Sequence, residues 1–276
     1  MSTEHNADGS GGSRIDRRTI LAGTAAAMAA SLTAVTTRAA QATEDPYADP
    51  PKPGLPRTDV QLEARHAALV IIDPQIDFLS PKGVAWGVVG ESVTQHGTVR
   101  NIGRLLFAAK QVGVPVAVSP HYYYPYDHRW QFGGPLEVLM HSIHMFDRTS
   151  PLSLGGFEGS GADFMPEYKP YLLDGQTIIA SPHKVYGPES NDLALQLRKR
   201  GVQQVVLAGM SANLCVESHL RELTEQGFEV AVVRDATAAA KVPEGDGYLA
   251  AIINFRYIAD ALWTTDEAVR RLTRAQ

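Results

Sequence analysis

Three residues of types that support hydrolytic chemistry stand far apart in this 276-residue chain: Asp73, Lys184 and Cys215. Cys215 is the only cysteine, so it has no disulfide partner within the chain. It lies in LAGMSANLCVESHL, where an apolar run gives way to a helical pattern and Asn213 is placed to cap the helix. A thiol in a first helical turn feels the positive end of the helix dipole, which favours the thiolate. The same position also suits a small buried hydrophobe, the common fate of a free cysteine. Asp73 precedes Pro74, where a carboxylate can simply start a turn. Lys184, taken alone, reads as a solvated surface lysine. As a set, the three make chemical sense. An ammonium favours the charged forms of carboxylate and thiol, and the carboxylate can take the thiol proton and pass it to a leaving amine.

For that set to form, the fold must bring three distant segments together. AALVIID (67–73) is a continuous apolar run, as in a strand buried on both faces. VPVAVSP (114–120), QTIIAS (176–181), QQVVLAG (203–209) and FEVAVVRDA (228–236) read as further strands, with LWTT as a short edge strand. Between them lie helical patterns at 93–113, 189–201, 213–227 and 247–263, and a last one in TDEAVRRLTRA. Strands alternating with helices predict a single three-layer α/β/α domain with a mostly parallel, Rossmann-like, doubly wound sheet. Ligands of such sheets bind beyond the carboxyl ends of the strands. Those ends carry Asp73, SPHYYYP, SPHKVYGP and GMSANLC.

Residues 120–175 interrupt the alternation and are rich in His, Tyr and Gly. An insert of this length predicts a lid over the site, with a short helix near 135–146. The N-terminus reads differently again. SRIDRRTILAGTAAAMAASLTAVTTRAAQA has paired arginines, an Ala-rich apolar run and Ala40-Gln41-Ala42. It predicts a twin-arginine export signal over 1–42, and so a periplasmic or secreted location with no membrane segment in the mature form. Residues 43–58 read as a Pro-rich linker and 59–276 as the folded domain. The composition is 44% hydrophobic and 20% charged, with a net charge of −5. No basic stripe suggests nucleic acid, and no Cys/His spacing suggests structural zinc.

ALVIIDPQIDF, together with the run from SPHKVYGPESNDLALQLRKRG through VQQVVLAGMSANLCVESHLRELTEQGFEVAVVRDATA, resembles the isochorismatase-like cysteine hydrolases over residues 66–265. This family includes nicotinamidases and N-carbamoyl amidohydrolases. The resemblance implies an Asp73–Lys184–Cys215 triad, a cis Met210–Ser211 peptide and an oxyanion hole of the Ser211 and Cys215 amides. It also implies self-assembly, with a small molecule as substrate. The expected reaction is cleavage of a C–N bond in a small amide, carbamoyl or imide compound through a thioester. The alternatives are vinyl ether hydrolysis of the isochorismatase type and a non-catalytic, redox-sensing protein. Phe78, Trp86, His121 and Tyr123 are candidate substrate contacts, each equally suited to core or rim. Asp77 is expected to orient local backbone. The chain departs from the family where Gly187-Pro188-Glu189 follows the lysine. It also lacks the Asp-x-His metal spacing of the nicotinamidase branch. His121, Asp127 and His128 are the available donors there, but no metal and no cofactor are expected.

Overall fold

The computed structural model describes residues 45–275. The expected export signal and the first residues of the expected linker lie outside them. Residues 51–59 are exposed throughout. The far end of that stretch is tied down where Thr58 Oγ1 donates to the Asp260 carbonyl at 2.6 Å. Among the described residues, no helix is long and apolar enough to cross a membrane.

Six strands form the main sheet: β1 (Ala67–Ile72), β2 (Val116–Ser119), β3 (Ile178–Ile179), β4 (Gln204–Gly209), β5 (Glu229–Thr237) and β6 (Ala261–Trp263). All pairings are parallel, and the order is β3-β2-β1-β4-β5-β6. The chain builds outward from β1 through β2 to β3, then crosses back to place β4 on the other side of β1. The direction of winding therefore reverses between β1 and β4, where α/β sheets open a crevice at the strand ends. This is the expected doubly wound architecture, with the LWTT region supplying the edge strand.

The strands are apolar because helices cover both faces. β1 is buried at every position. Its Leu69 and Ile71 share one cluster with Val116, Val118, Val206 and Ala208, and with Ile102, Leu105 and Ala109 of the helix Thr98–Val112. Alternation along the strands sends the intervening residues to the opposite face, on whose side the helices Glu217–Glu225 and Gly247–Ile258 pack together. Each such fully buried Leu or Ile contributes about 1.5–3 kcal/mol.

The continuous helix expected over 93–113 is instead two helices, Trp86–His96 and Thr98–Val112. Gly97, at φ +64°, makes the break in a left-handed conformation that costs glycine little. The 213–227 helix begins as a widened turn over Ala212–Val216 and becomes α-helical only from Glu217. Its cap is Ser211 rather than Asn213, and no side chain caps it.

Residues 120–175 contain the short helix Pro135–Ser142. They also supply core: Tyr123, Phe146 and Tyr168 are fully buried. The buried Gln75 amide fastens this segment, donating to the His121 and Ala162 carbonyls and accepting from the His121 amide. Asp77 orients backbone as expected, accepting from the amides of Phe146 (2.7 Å) and Val84 (3.3 Å).

Candidate active site

The register between β1 and β4 places the two halves of the site. Ile72 pairs with Gly209, so Asp73 and Met210 leave the sheet side by side. Gly209 sits at φ +117°, and a Cβ there would run into the Ile72 backbone. Only glycine permits this close approach. Asp73 has φ +46°, an uncommon backbone state for a residue with a side chain. Strain of this kind gathers at functional sites. The Met210–Ser211 peptide is cis.

These loops bring the Asp73 carboxyl and the Cys215 sulfur within 4.8 Å of each other. Both are buried, Asp73 completely and Cys215 at 3% exposure. The backbone amides of Ser211 and Cys215 favour the charged form of the sulfur. The pair assigned to the oxyanion hole by resemblance thus lies directly against the thiol.

The ammonium expected beside Asp73 is elsewhere. Lys184 Nζ donates to Asp127 Oδ2 (2.5 Å) and to the Tyr122 carbonyl (2.9 Å), and stands 4.0 Å from the centre of the Tyr124 ring. The partner of Asp73 is the preceding residue, His183, whose Nε2 lies 2.8 Å from Asp73 Oδ1. Backbone geometry explains the exchange. His183 bridges His121 in a parallel extension beyond β2 and β3, and its amide bonds the Pro120 carbonyl. Neighbours on extended backbone project to opposite sides, so His183 faces inward and Lys184 outward.

Two further histidines complete the interior. His121 is fully buried, its ring 4.6 Å from that of His183, and its Nε2 bonds the Lys184 carbonyl at 3.0 Å. His219 follows Cys215 by four residues. Its Nδ1 lies 2.6 Å from the Cys215 carbonyl and its Nε2 2.8 Å from Ser119 Oγ. The carbonyl can only accept, so Nδ1 carries the proton and Nε2 accepts from the hydroxyl. Asn191 Nδ2 in turn donates to Ser119 Oγ.

Burial dominates the electrostatics. It pushes the Asp73 carboxyl up to about 7, with His121, His219 and Cys215 opposing. It holds His121, His183 and His219 down at about 3, so all three are neutral near pH 7. The Cys215 thiol is driven well above its usual range by burial and by the Asp73 charge, against the two amides. The resting sulfur is therefore a thiol beside a carboxyl that loses its proton near neutrality.

The remaining candidates divide. Tyr123 is buried with an unpaired hydroxyl, and burial raises its phenol, as it does that of Tyr186, with Glu137 and Cys215 adding smaller effects. Phe78 stands one layer back, edge-on to Phe146 at 5.1 Å, while Phe146 stacks on His121 at 5.0 Å. Trp86 is not at this centre. It lines a separate groove of about 860 Å³ with Val93, Phe107 and Tyr171. His121, Asp127 and His128 do not form one donor group. Among the described residues, one group is Asp73, His121, His183 and Cys215, and another is His128, His144 and Asp147.

His183, His219, Gln75 and Tyr186 were not singled out from sequence. The available signals were a second polar residue beside Lys184 and the i, i+4 spacing that puts His219 on the face of Cys215.

A mostly parallel, doubly wound six-stranded sheet with helices on both faces defines a three-layer α/β/α class. The isochorismatase domain model matches residues 67–266, and the chain belongs to this family of hydrolases. It is 27% identical over 206 residues to the ureidoacrylate amidohydrolase RutB of Variovorax paradoxus, covering 70% of this chain and 79% of that protein. Among solved structures, a cysteine hydrolase from Pseudomonas syringae pv. phaseolicola superposes with TM-score 0.66 at 21% identity, covering 81% of this chain and all of the other. N-carbamoylsarcosine amidase from Thermoplasma acidophilum superposes with TM-score 0.51 at 19% identity, covering 72% and 96%.

Proposed function

We propose that this protein is a cysteine-dependent amidohydrolase acting on a small amide, carbamoyl or imide compound. The observation that carries this reading is the close Asp73–Cys215 pair, buried at the winding reversal with the Ser211 and Cys215 amides favouring charge on the sulfur. The ureidoacrylate amidohydrolase and the N-carbamoylsarcosine amidase among its relatives support the choice of bond.

In this reading, ionised Asp73 takes the Cys215 proton as the sulfur attacks the substrate carbonyl. The oxyanion forms beside the sulfur, where the Ser211 and Cys215 amides receive it. Protonated Asp73 then gives its proton to the departing nitrogen, the C–N bond breaks and a thioester remains. Water, deprotonated by Asp73, attacks the thioester carbonyl and releases the acid with the thiol restored. His183 donates its Nε2 proton to Asp73 Oδ1 and holds the other carboxyl oxygen toward the sulfur. With no ammonium in contact, this centre relies on a carboxylate base with a pKa near the working pH, rather than on a standing thiolate. The reading also takes the chain to be exported, on the strength of Arg17–Arg18 and the Ala-rich run that follows.

Primary amides, N-carbamoyl amino compounds and cyclic imides, screened for ammonia release with Cys215→Ala as control, test this reading. Ammonia release by the parent and not by the variant supports it. Turnover of isochorismate without ammonia, or turnover unaffected by the substitution, rejects it.

A further inference from the structure

The donor atoms at this centre suit more than nucleophilic chemistry. Asp73, His121, His183 and Cys215 each offer one ligand atom, and the four atoms lie within 4.8 Å of one another. All four residues are buried. They come from the carboxyl ends of β1, β2, β3 and β4, so four separate segments converge on one point. Three of them keep a buried polar atom without a hydrogen-bond partner: Asp73 Oδ2, His121 Nδ1 and His183 Nδ1. Such orphans cost roughly 1–3 kcal/mol each, and they call for an occupant. The Lys184 ammonium does not compete for the place, because it is held by Asp127 and Tyr122.

We propose that Asp73, His121, His183 and Cys215 form a binding site for a borderline-soft divalent cation, zinc above all. One thiolate, two imidazoles and one carboxylate match zinc's ligand preferences, and four ligands match its tetrahedral coordination. Ligand atoms around zinc lie roughly 3.3–3.7 Å apart, so the site need close by no more than about 1.5 Å when the ion enters. Supporting contacts are already in place. Nε2 of His121 bonds the Lys184 carbonyl, which leaves Nδ1 for a metal. This departs from the sequence-based expectation of no metal, because His183 was not counted among the donors.

Coordination breaks the S–H bond, releases the proton to solvent and forms a Zn–S bond. The sulfur pair that would attack a carbonyl is then committed to the metal. The loaded protein is closed to the thioester route, and the metal-free protein is the form open to it. Metal binding does not depend on that route.

The test uses the full chain, stripped with chelator and titrated with Co²⁺ and then Zn²⁺. One cobalt per chain with a thiolate-to-cobalt charge-transfer band is expected, together with bleaching of that band by zinc and protection of Cys215 from iodoacetamide. His121→Ala and His183→Ala should each weaken binding beyond the roughly 10–100-fold that loss of a supporting contact costs. His144→Gln, which alters the outer His128–His144–Asp147 group, should leave the band intact. Cobalt binding with no charge-transfer band, or a band lost only in His144→Gln, would overturn the proposal. So would unchanged iodoacetamide labelling in the zinc-treated parent, a result that needs no variant to fold. Ammonia release by the metal-free protein is scored separately, so failure of the metal site and failure of the amidohydrolase reading remain distinguishable.

Discussion

His183 and Lys184 are neighbours in the chain and belong to different regions of the molecule. His183 enters a fully buried centre with Asp73, His121 and Cys215, where burial keeps the imidazoles neutral and the thiol protonated. Lys184 enters a shallower, charged layer with Asp127, Tyr122 and Tyr124. There burial pulls the ammonium down and Asp127 opposes it. In the inner region the imidazoles and the thiol are neutral near pH 7, and Asp73 loses its proton near the same pH. The outer region is an ion pair that holds the 122–127 turn against the 184 loop. A residue's role follows the environment its side chain enters more than its chemical type.

If the inner region does the chemistry, Cys215→Ala has the largest effect, lowering kcat by on the order of 10⁴–10⁶-fold in single-turnover ammonia assays. Asp73→Asn removes the proton carrier and costs about 10²–10⁴-fold. His183→Ala acts through Asp73. Its signature is a pH–rate limb displaced to higher pH, because the carboxylate loses a donor, with His183→Gln returning the limb by restoring one. In the parent that limb rises through pH about 7, where Asp73 ionises. A flat profile between pH 6 and 8 would argue against Asp73 as the base.

The same groups set the acid stability, and their signs differ. Burial depresses His121, His183 and His219 from 6.5 to about 3. Their contribution is full above pH 6.5 and is lost as pH falls through 3. Asp73 is raised from 3.8 to about 7, so its contribution is full below 3.8 and is lost as pH rises toward 7. Three groups outweigh one. The midpoint of urea unfolding should fall on acidification from pH 6.5 to 4, less steeply in His219→Gln.

The smallest effect on catalysis belongs to the outer region. Lys184→Met should cost about 2 kcal/mol in thermal or urea unfolding by leaving the Asp127 carboxylate poorly paired. It should change kcat/KM by less than about tenfold. A loss matching that of Asp73→Asn would return Lys184 to the centre and erase the contrast between the two regions.

Much of this was legible in the linear chain. The apolar runs from AALVIID to FEVAVVRDA marked the strands because sheets covered on both faces tolerate little else. The winding rule then directed attention to Asp73 and to the segment of Cys215, and the structure brings these two together. The break at Gly97 was missed because helical periodicity runs across a single glycine with little change of phase.

The sequence by itself determined which segments form the sheet and which residue types stand at its carboxyl ends. Only the tertiary structure decided which of two adjacent side chains, His183 or Lys184, meets Asp73. That choice is one of parity along extended backbone, set by the pairing of His183 with His121 across the sheet edge. A shift of one residue exchanges inside for outside, and composition and spacing carry no record of it.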